Sequence, residues 1–484
     1  MIGKQTLIID ASDFIKGMSS SPDVTDGGFS NETDNVNLTA TPGALYAPAI
    51  GVDSDTDTRL TGNAIASSPD MNVTSPTNRL VVTDDGKGYR YNGTKLTAAG
   101  IALTAGKTWA TGFTDIITFG GEAYVSSKES LTRWQNDNTI DAGASWAFSF
   151  TNSDVPHPGL VYENNMYWAD KNLLLIQSSV GDAVAPTTIL TLSADQVIIA
   201  LGIDPGTGLM LISTTNALDI SATLTSINKL LWYDGNSAKV TKAVIVEDTI
   251  LGFHSNSGVV LVGYGKKLGY VNGSGISFLR NLKNVTSTAS ELPYKHHFAS
   301  VGNTAYILDG LQILAYGEVL PGRKSFYYAF KNSVNSNKFT MLGNGGAGKL
   351  VFGFATTKFY SFDTTSVATT NGLSLYSNKY AFPRPVYLRS VYIEYANAVV
   401  NNNDTRYMTY NYQEQLAGFV NKLYIQGQAQ TTLGLKNLTG ASITVIDNII
   451  GFTPNKVTLL QLLYVATTTN NGIRRIIIRY DVAE

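Results

Sequence analysis

The residues that most look like chemistry are Gly343-Asn344-Gly345-Gly346-Ala347-Gly348-Lys349. This run satisfies GxGxxG and comes within one residue of GxxxxGK[ST]. A phosphate-binding loop of that type wraps backbone N–H groups around the phosphates. It also needs a lysine that reaches them, a hydroxyl on Mg²⁺ and a helix N-terminus behind. Here Leu350 stands where the hydroxyl is needed, and Leu350-Val351-Phe352-Gly353-Phe354 reads as a strand. The run is therefore expected to be a hairpin turn. Asp53-Ser54-Asp55-Thr56-Asp57-Thr58 begins like a calcium loop. An EF-hand needs glycine at the sixth position and glutamate at the twelfth, and those are Thr58 and Ala64. A solvated acidic loop is the preferred reading, with a weak calcium site of another type left open.

Thr83-Asp84-Asp85-Gly86-Lys87-Gly88-Tyr89 is faintly similar to the Asp-box turn of sialidase-like propellers. It occurs once and lacks the aromatic pattern, so a plain Asp-Gly hairpin is favoured. The four histidines are His157, His254, His296 and His297. Only the last two adjoin, and neighbours on a strand point to opposite faces, which makes a poor chelate. No HExxH and no GxSxG nucleophile elbow occurs. Two carboxylates for glycoside cleavage could meet in three dimensions, but no spacing reveals them. No catalytic, cofactor-binding or metal-binding residue is therefore assigned, no cofactor is expected, and the chain is read as a non-enzyme. Trp109, Trp134, Trp146, Trp168 and Trp232 could stack on sugars or anchor interfaces, but most are expected to pack between structural repeats. Asn31-Glu32-Thr33 and Asn72-Val73-Thr74 are glycosylation triplets that carry little weight without a secretory signal.

Composition removes whole classes. None of the 484 residues is cysteine, which excludes disulfides, cysteine-ligated zinc or iron–sulfur sites and a thiol nucleophile. Lys and Arg total 35 against 37 Asp and Glu, a net charge of -2. That balance argues against a dedicated nucleic-acid binder, whose affinity comes from a basic face. No apolar run is long enough for a transmembrane helix, and Met1 to Asp10 is too short an apolar stretch for a signal peptide. Only 15% of residues are charged, while there are 45 Gly and 26 Tyr. Tyr, Phe, Val, Ile and Thr suit pleated, half-buried strands, and Gly and Asn suit tight turns. The expected class is all-β.

Residues 1–78 read as an extended N-terminal arm, with a first strand at Gln5 to Asp10 and a Pro42-Gly43 turn. From about Asn78, apolar strands alternate with Gly/Asn/Asp turns. Examples are Arg79 to Thr83 with Tyr89 to Tyr91, Asp115 to Phe119 with Ala123 to Ser126, and Thr304 to Leu308 with Ile313 to Tyr316. The rhythm, roughly 35–50 residues, matches β-propeller blades, about six to seven of them over residues 79–382. After Pro383-Arg384-Pro385, residues 383–484 read as a C-terminal β-sandwich closing on the strand Gly472 to Asp481.

The N-terminal stretch resembles proteins encoded in tail-assembly regions of bacterial viruses. The carrying residues are Ile9 to Met18, Gly28-Phe29-Ser30, Asn35-Val36-Asn37-Leu38 and Pro42-Gly43-Ala44-Leu45. The family phrase Asp-Phe-x-x-Gly-Met/Leu-Asn is kept at Asp13, Phe14, Gly17 and Met18, while Ser19 replaces its Asn. The whole layout is similar to the β-propeller nozzle or tail-hub proteins of short-tailed phages. The resemblance implies a structural virion protein of the tail, assembled in the host cytoplasm. It implies a ring of copies, with a hexamer expected, around the DNA exit channel. Portal or adaptor proteins and tail fibres or spikes would be its partners, and DNA would pass without sequence-specific binding. The alternative is a carbohydrate-binding or glycoside-cleaving propeller, such as a receptor-binding protein or a secreted lectin. That reading expects an acidic pocket on the propeller axis.

Overall fold

In the computed structural model of the chain, the described residues are 5–20, 26–30, 33, 36–37, 60–71, 79–93, 96, 101–102, 113–134, 148–178, 185–216, 226–282, 294–331, 338–355, 357–363, 373–395, 406–414, 425–426, 443–446, 457–466 and 473–483. Two compact units emerge. One contains residues 52–312 and 332–364. The other contains 1–51, 313–331 and 365–484.

The first unit is a seven-bladed β-propeller. Blade 1 runs from its innermost strand Ala64–Ser67 through Arg79–Thr83 and Lys87–Tyr91 to Ile101–Ala102. Blades 2 to 5 repeat the same four-stranded antiparallel order, beginning at Phe113–Phe119, Gly159–Tyr162, Val197–Ile203 and Ile250–Asn256. Blade 6 begins with the hairpin Phe298–Val301 and Thr304–Asp309. Blade 7 is Phe339–Gly346, Lys349–Phe354 and Lys358–Asp363. Each innermost strand neighbours the next, and that of blade 7 neighbours that of blade 1, so the ring closes.

Both faces of a blade are covered by its neighbours, which is why its strands are near-continuous apolar runs and not alternating ones. Val197–Ile203 and Met210–Thr215, for example, are buried almost throughout. Apolar layers fill the spaces between blades. Trp134 packs with Ala66, Leu80 and Ile116 between blades 1 and 2. Trp168 packs with Ile117, Tyr124 and Met166 between blades 2 and 3. Trp232 packs with Phe253 and Val262 between blades 4 and 5. These three tryptophans are packing residues, as expected. Trp109 and Trp146 lie outside the described residues. Leu60, Val81 and Tyr89 of blade 1 meet Met341, Val351 and Phe359 of blade 7, and Thr340 Oγ1 donates to Ala64 O at 2.5 Å. Among the described residues, this apolar seam closes the ring.

The second unit centres on an eight-stranded antiparallel sheet. The strand Gln5–Asp10 pairs along Ile473–Val482, so the two ends of the described chain lie side by side. Tyr380–Tyr395 is a single strand that changes partners. Tyr380 and Ala381 pair with Leu460 and Leu459, whereas Val386 to Tyr395 run along Val482 to Ile473. The switch falls at Pro383 and Pro385, which lack the N–H a ladder needs. A bent strand of this kind links the layers of a sandwich.

The three consecutive segments expected from the sequence are therefore corrected. The first blade's inner strand lies at 64–67, inside the segment read as an arm. The last blade ends at Asp363, and the chain from Leu373 joins the second unit. Residues 313–331 continue the sheet of the blade 6 hairpin but group with the second unit, and Val36–Asn37 pairs there with Ala329 and Tyr328. The physical reason is that strand pairing is long-range, so a composition change at Pro383 marks a bend within a strand and not a domain boundary.

The phrase that carries the family resemblance is a packed knot. Asp10 caps the short helix Ala11–Phe14 by accepting from Ser12 N at 2.9 Å, and Asp13 completes a capping box. Phe14, Met18 and Phe29 are buried. Gly17 has φ +72°, and a Cβ there would stand 2.4 Å from Phe326 O. At Gly28 a Cβ would stand 1.7 Å from Asp13 O, so glycine is required by close backbone approach. Asn35 and Leu38 of the same phrase, and Pro42 to Leu45, lie outside the described residues.

Candidate functional site: the plugged axial cavity

All seven innermost strands line one cavity of about 730 Å³ on the propeller axis. Ser67, Ile116, Val161, Leu201, Phe253, Phe298 and Leu342 contribute one wall position from each blade in turn. The strands run parallel to one another, so their first residues share one end of the axis. Lys295 and His296 immediately precede blade 6 and close that end. The exposed residues Pro69, Pro205 and Ser255 lie towards the turns at the other end and form the mouth.

The closure is a 3-10 turn, Lys295–His297, that neighbours the inner strands of blades 1, 5 and 7. It is locked to blades 2 and 3 through Asp115, which is 2% exposed. Lys295 Nζ donates to both Asp115 oxygens at 3.0 and 2.9 Å and to Gly159 O at 3.0 Å. His296 Nε2 lies 2.9 Å from Asp115 Oδ1. The N–H groups of Gly159 and Ile116 each donate to the carboxylate at 2.7 Å. Burial by itself would raise the Asp115 pKa. The Lys295 charge and the His296 bond outweigh burial and hold it down at about 2. Asp115 is thus ionised, saturated with donors, and unsuited to proton transfer near neutrality.

The 3-10 turn corrects the expectation that His296 and His297 are strand neighbours. His296 meets Asp115, while His297 is buried beside Tyr294, with ring centroids 6.2 Å apart. The other histidines are also structural. His157 is buried, stacks on Phe150 at 3.7 Å and lies 2.8 Å from Ala169 O and 3.1 Å from Lys128 O. Burial keeps its pKa low. His254 lines the cavity, lies 2.6 Å from Ser300 Oγ and stacks on Phe298. Burial lowers its pKa to about 4, so it is neutral at pH 7.

This sets a pH dependence. A histidine whose folded pKa is depressed resists protonation in the fold, whereas the unfolded chain takes up the proton below about pH 6.5. Stability is complete above that pH and falls between about pH 6.5 and 4. His254 contributes on the order of 3 kcal/mol of the loss. Chemical denaturation across that window should show the decline, and His254→Gln should flatten it.

The sequence motifs resolve as turns and close contacts. In Gly343 to Lys349, Ala347 (φ +47°) and Gly348 (φ +80°) form the hairpin turn of blade 7. Asn344 Nδ2 donates to Ser300 O at 2.7 Å, and a Cβ on Gly343 would stand 2.1 Å from Ser67 Oγ. These glycines serve blade packing and not phosphate binding. Thr83 to Tyr89 is a hairpin. Its Asp84 accepts from Asn63 N and Nδ2, both at 2.8 Å. Its Asp85 accepts from Thr83 Oγ1 at 2.6 Å and Thr61 Oγ1 at 2.5 Å. Asp53 to Thr58 lies outside the described residues. Among the described residues no three His, Asp or Glu side chains are placed to hold a metal.

Sequence reading missed the Asp115 cluster because its members are 180 residues apart. One signal was available, a lone carboxylate inside the apolar strand Phe113–Phe119. A charge in such a strand requires a buried partner.

The fold and site thus define a seven-bladed propeller whose axis holds a largely apolar cup closed at one end by an ion cluster. Among solved structures, the chain is similar to the WD40 domain of Pan2 from Neurospora crassa. The identity is 8%, the match covers 64% of this chain and 90% of that one, and the TM-score is 0.42. No family model matches the sequence, and no curated protein matches it. Among the described residues no helix is long and apolar enough to cross a membrane.

Proposed function

We propose that the chain is a structural protein of a phage tail. In this reading it is a nozzle or tail-hub component that forms a ring around the DNA exit channel, contacts portal or adaptor proteins and fibres, and has no enzymatic role. The observation that carries this reading is the N-terminal phrase. Its Asp13, Phe14, Gly17, Met18, Gly28 and Phe29 make one packed knot, the behaviour of an assembly fastener and not of a reactive site. Among the described residues, the strand leading into that knot, Gln5–Asp10, is the outermost of its sheet and carries Ile8 at 47% exposure. An open edge of this kind is a natural pairing surface for another chain, and ring formation uses it.

The glycoside-cleaving alternative fares less well. Cleavage uses two carboxylates on either side of the bond. Among the described residues, Asp70 is the carboxylate lining the axial cavity, and it lies 3.7 Å from Arg79 Nη2. The test is the mass of the purified chain in solution together with a glycosidase assay. The expected result is a closed oligomer with no sugar cleavage. A monomer that cleaves glycosides would overturn the proposal.

A further inference from the structure

The axial cup holds a feature that packing does not explain. Arg79 opens the second strand of blade 1 and lines the cavity. Its side chain is 9% exposed, so the guanidinium is largely removed from water. Yet its Nε has no hydrogen-bond partner among the described residues. The ion pair it makes among the described residues, to Asp70 Oδ2, spans 3.7 Å, beyond hydrogen-bonding distance. Burial lowers the arginine's pKa without removing its charge, since the group titrates far above neutrality. A buried guanidinium with an unused donor is costly unless an acceptor completes it.

The rest of the cup is largely apolar, with Leu160, Leu201, Phe253, Phe298 and Leu342 among its walls and Asp70, Ser67 and Ser300 among its polar groups. Its volume of about 730 Å³ falls within the range of small-molecule sites, roughly 300–1,000 Å³. The polar groups at its closed end, Lys295 and His296, are already engaged by Asp115. Neutral His254 is bound to Ser300. The cup thus offers one incompletely satisfied cationic anchor, beside Asp70, in a largely apolar chamber.

We propose that the axial cup binds a small amphiphilic anion. Its carboxylate or similar oxyanion engages Arg79, and its apolar body lies along the axis against Phe253 and Phe298. The planar guanidinium suits such a group because it can donate two parallel N–H bonds to it.

Titration calorimetry with decanoate, and with decanol as its uncharged counterpart, tests this on the full chain. Decanoate should bind one molecule per chain. Decanol should bind at least ten-fold more weakly, the factor expected for losing a charge-assisted hydrogen bond. Arg79→Gln should weaken decanoate by about 10–100-fold and leave decanol unchanged, with circular dichroism confirming the fold. Should Arg79→Gln not fold, Ser255→Trp, at the exposed mouth, should block decanoate. Equal binding of the two probes, undiminished decanoate binding by either variant, or no binding at millimolar decanoate would overturn the proposal. None of these results bears on ring formation, so the two readings fail separately.

Discussion

Replacing Asp115 by alanine should destabilise the propeller by about 3–5 kcal/mol, the cost of stripping one partner from a buried ion pair. The variant leaves the Lys295 ammonium facing Gly159 O without its counter-charge, and His296 loses its carboxylate partner. It also removes the acceptor of the Gly159 and Ile116 N–H groups, so the junction of blades 2 and 3 loosens with the plug. Urea unfolding followed by tryptophan fluorescence reads the effect. Three of the tryptophans, Trp134, Trp168 and Trp232, sit between blades. Asp115→Leu with Lys295→Met removes both charges together and should recover much of the loss, because it leaves no buried charge unpaired. A loss below about 1 kcal/mol for Asp115→Ala would mean that the cluster is hydrated and does not hold the ring.

Trp168→Ala should cost about 3–5 kcal/mol, the range for deleting a large buried aromatic ring. The ring is fully buried between blades 2 and 3. It lies directly across the ladder from Gly159, where a Cβ would stand 2.4 Å from the indole. The indole therefore occupies space that the glycine vacates. This gives a coupled expectation. Gly159→Ala alone should be destabilising through overpacking. Combined with Trp168→Ala, the same change should cost much less, because the clashing ring is gone. A double-mutant cycle of denaturation midpoints measures that coupling, and additive effects would refute the steric account.

The propeller was legible in the sequence because inter-blade packing imposes a repeating demand. Every blade needs apolar runs such as Leu80-Val81-Val82 or Val260-Leu261-Val262, separated by Gly-containing turns. The blade number was not legible. Its seventh member is closed by Met341 and Val351 meeting Val81 and Tyr89, a contact between distant parts of the chain that leaves no local signature. The arm was misjudged for the same reason. Ala64-Ile65-Ala66-Ser67 is short and bland, and only its pairing with Val81 to Thr83 makes it a blade. At the axis, Asp115 inside an apolar strand was a signal left unread, and Lys295 and His296 gave no hint of facing it. Arg79 looked like an ordinary strand-opening residue, since burial depends on the ring and not on its neighbours in sequence.

The proposed role rests on assembly, and cryo-electron microscopy of the phage particle in which the proposal places this chain tests it most directly. The account expects copies of the chain in a closed ring below the portal, coaxial with the DNA exit channel. Particles whose tails lack the chain, or in which it appears as isolated copies away from that axis, would contradict it.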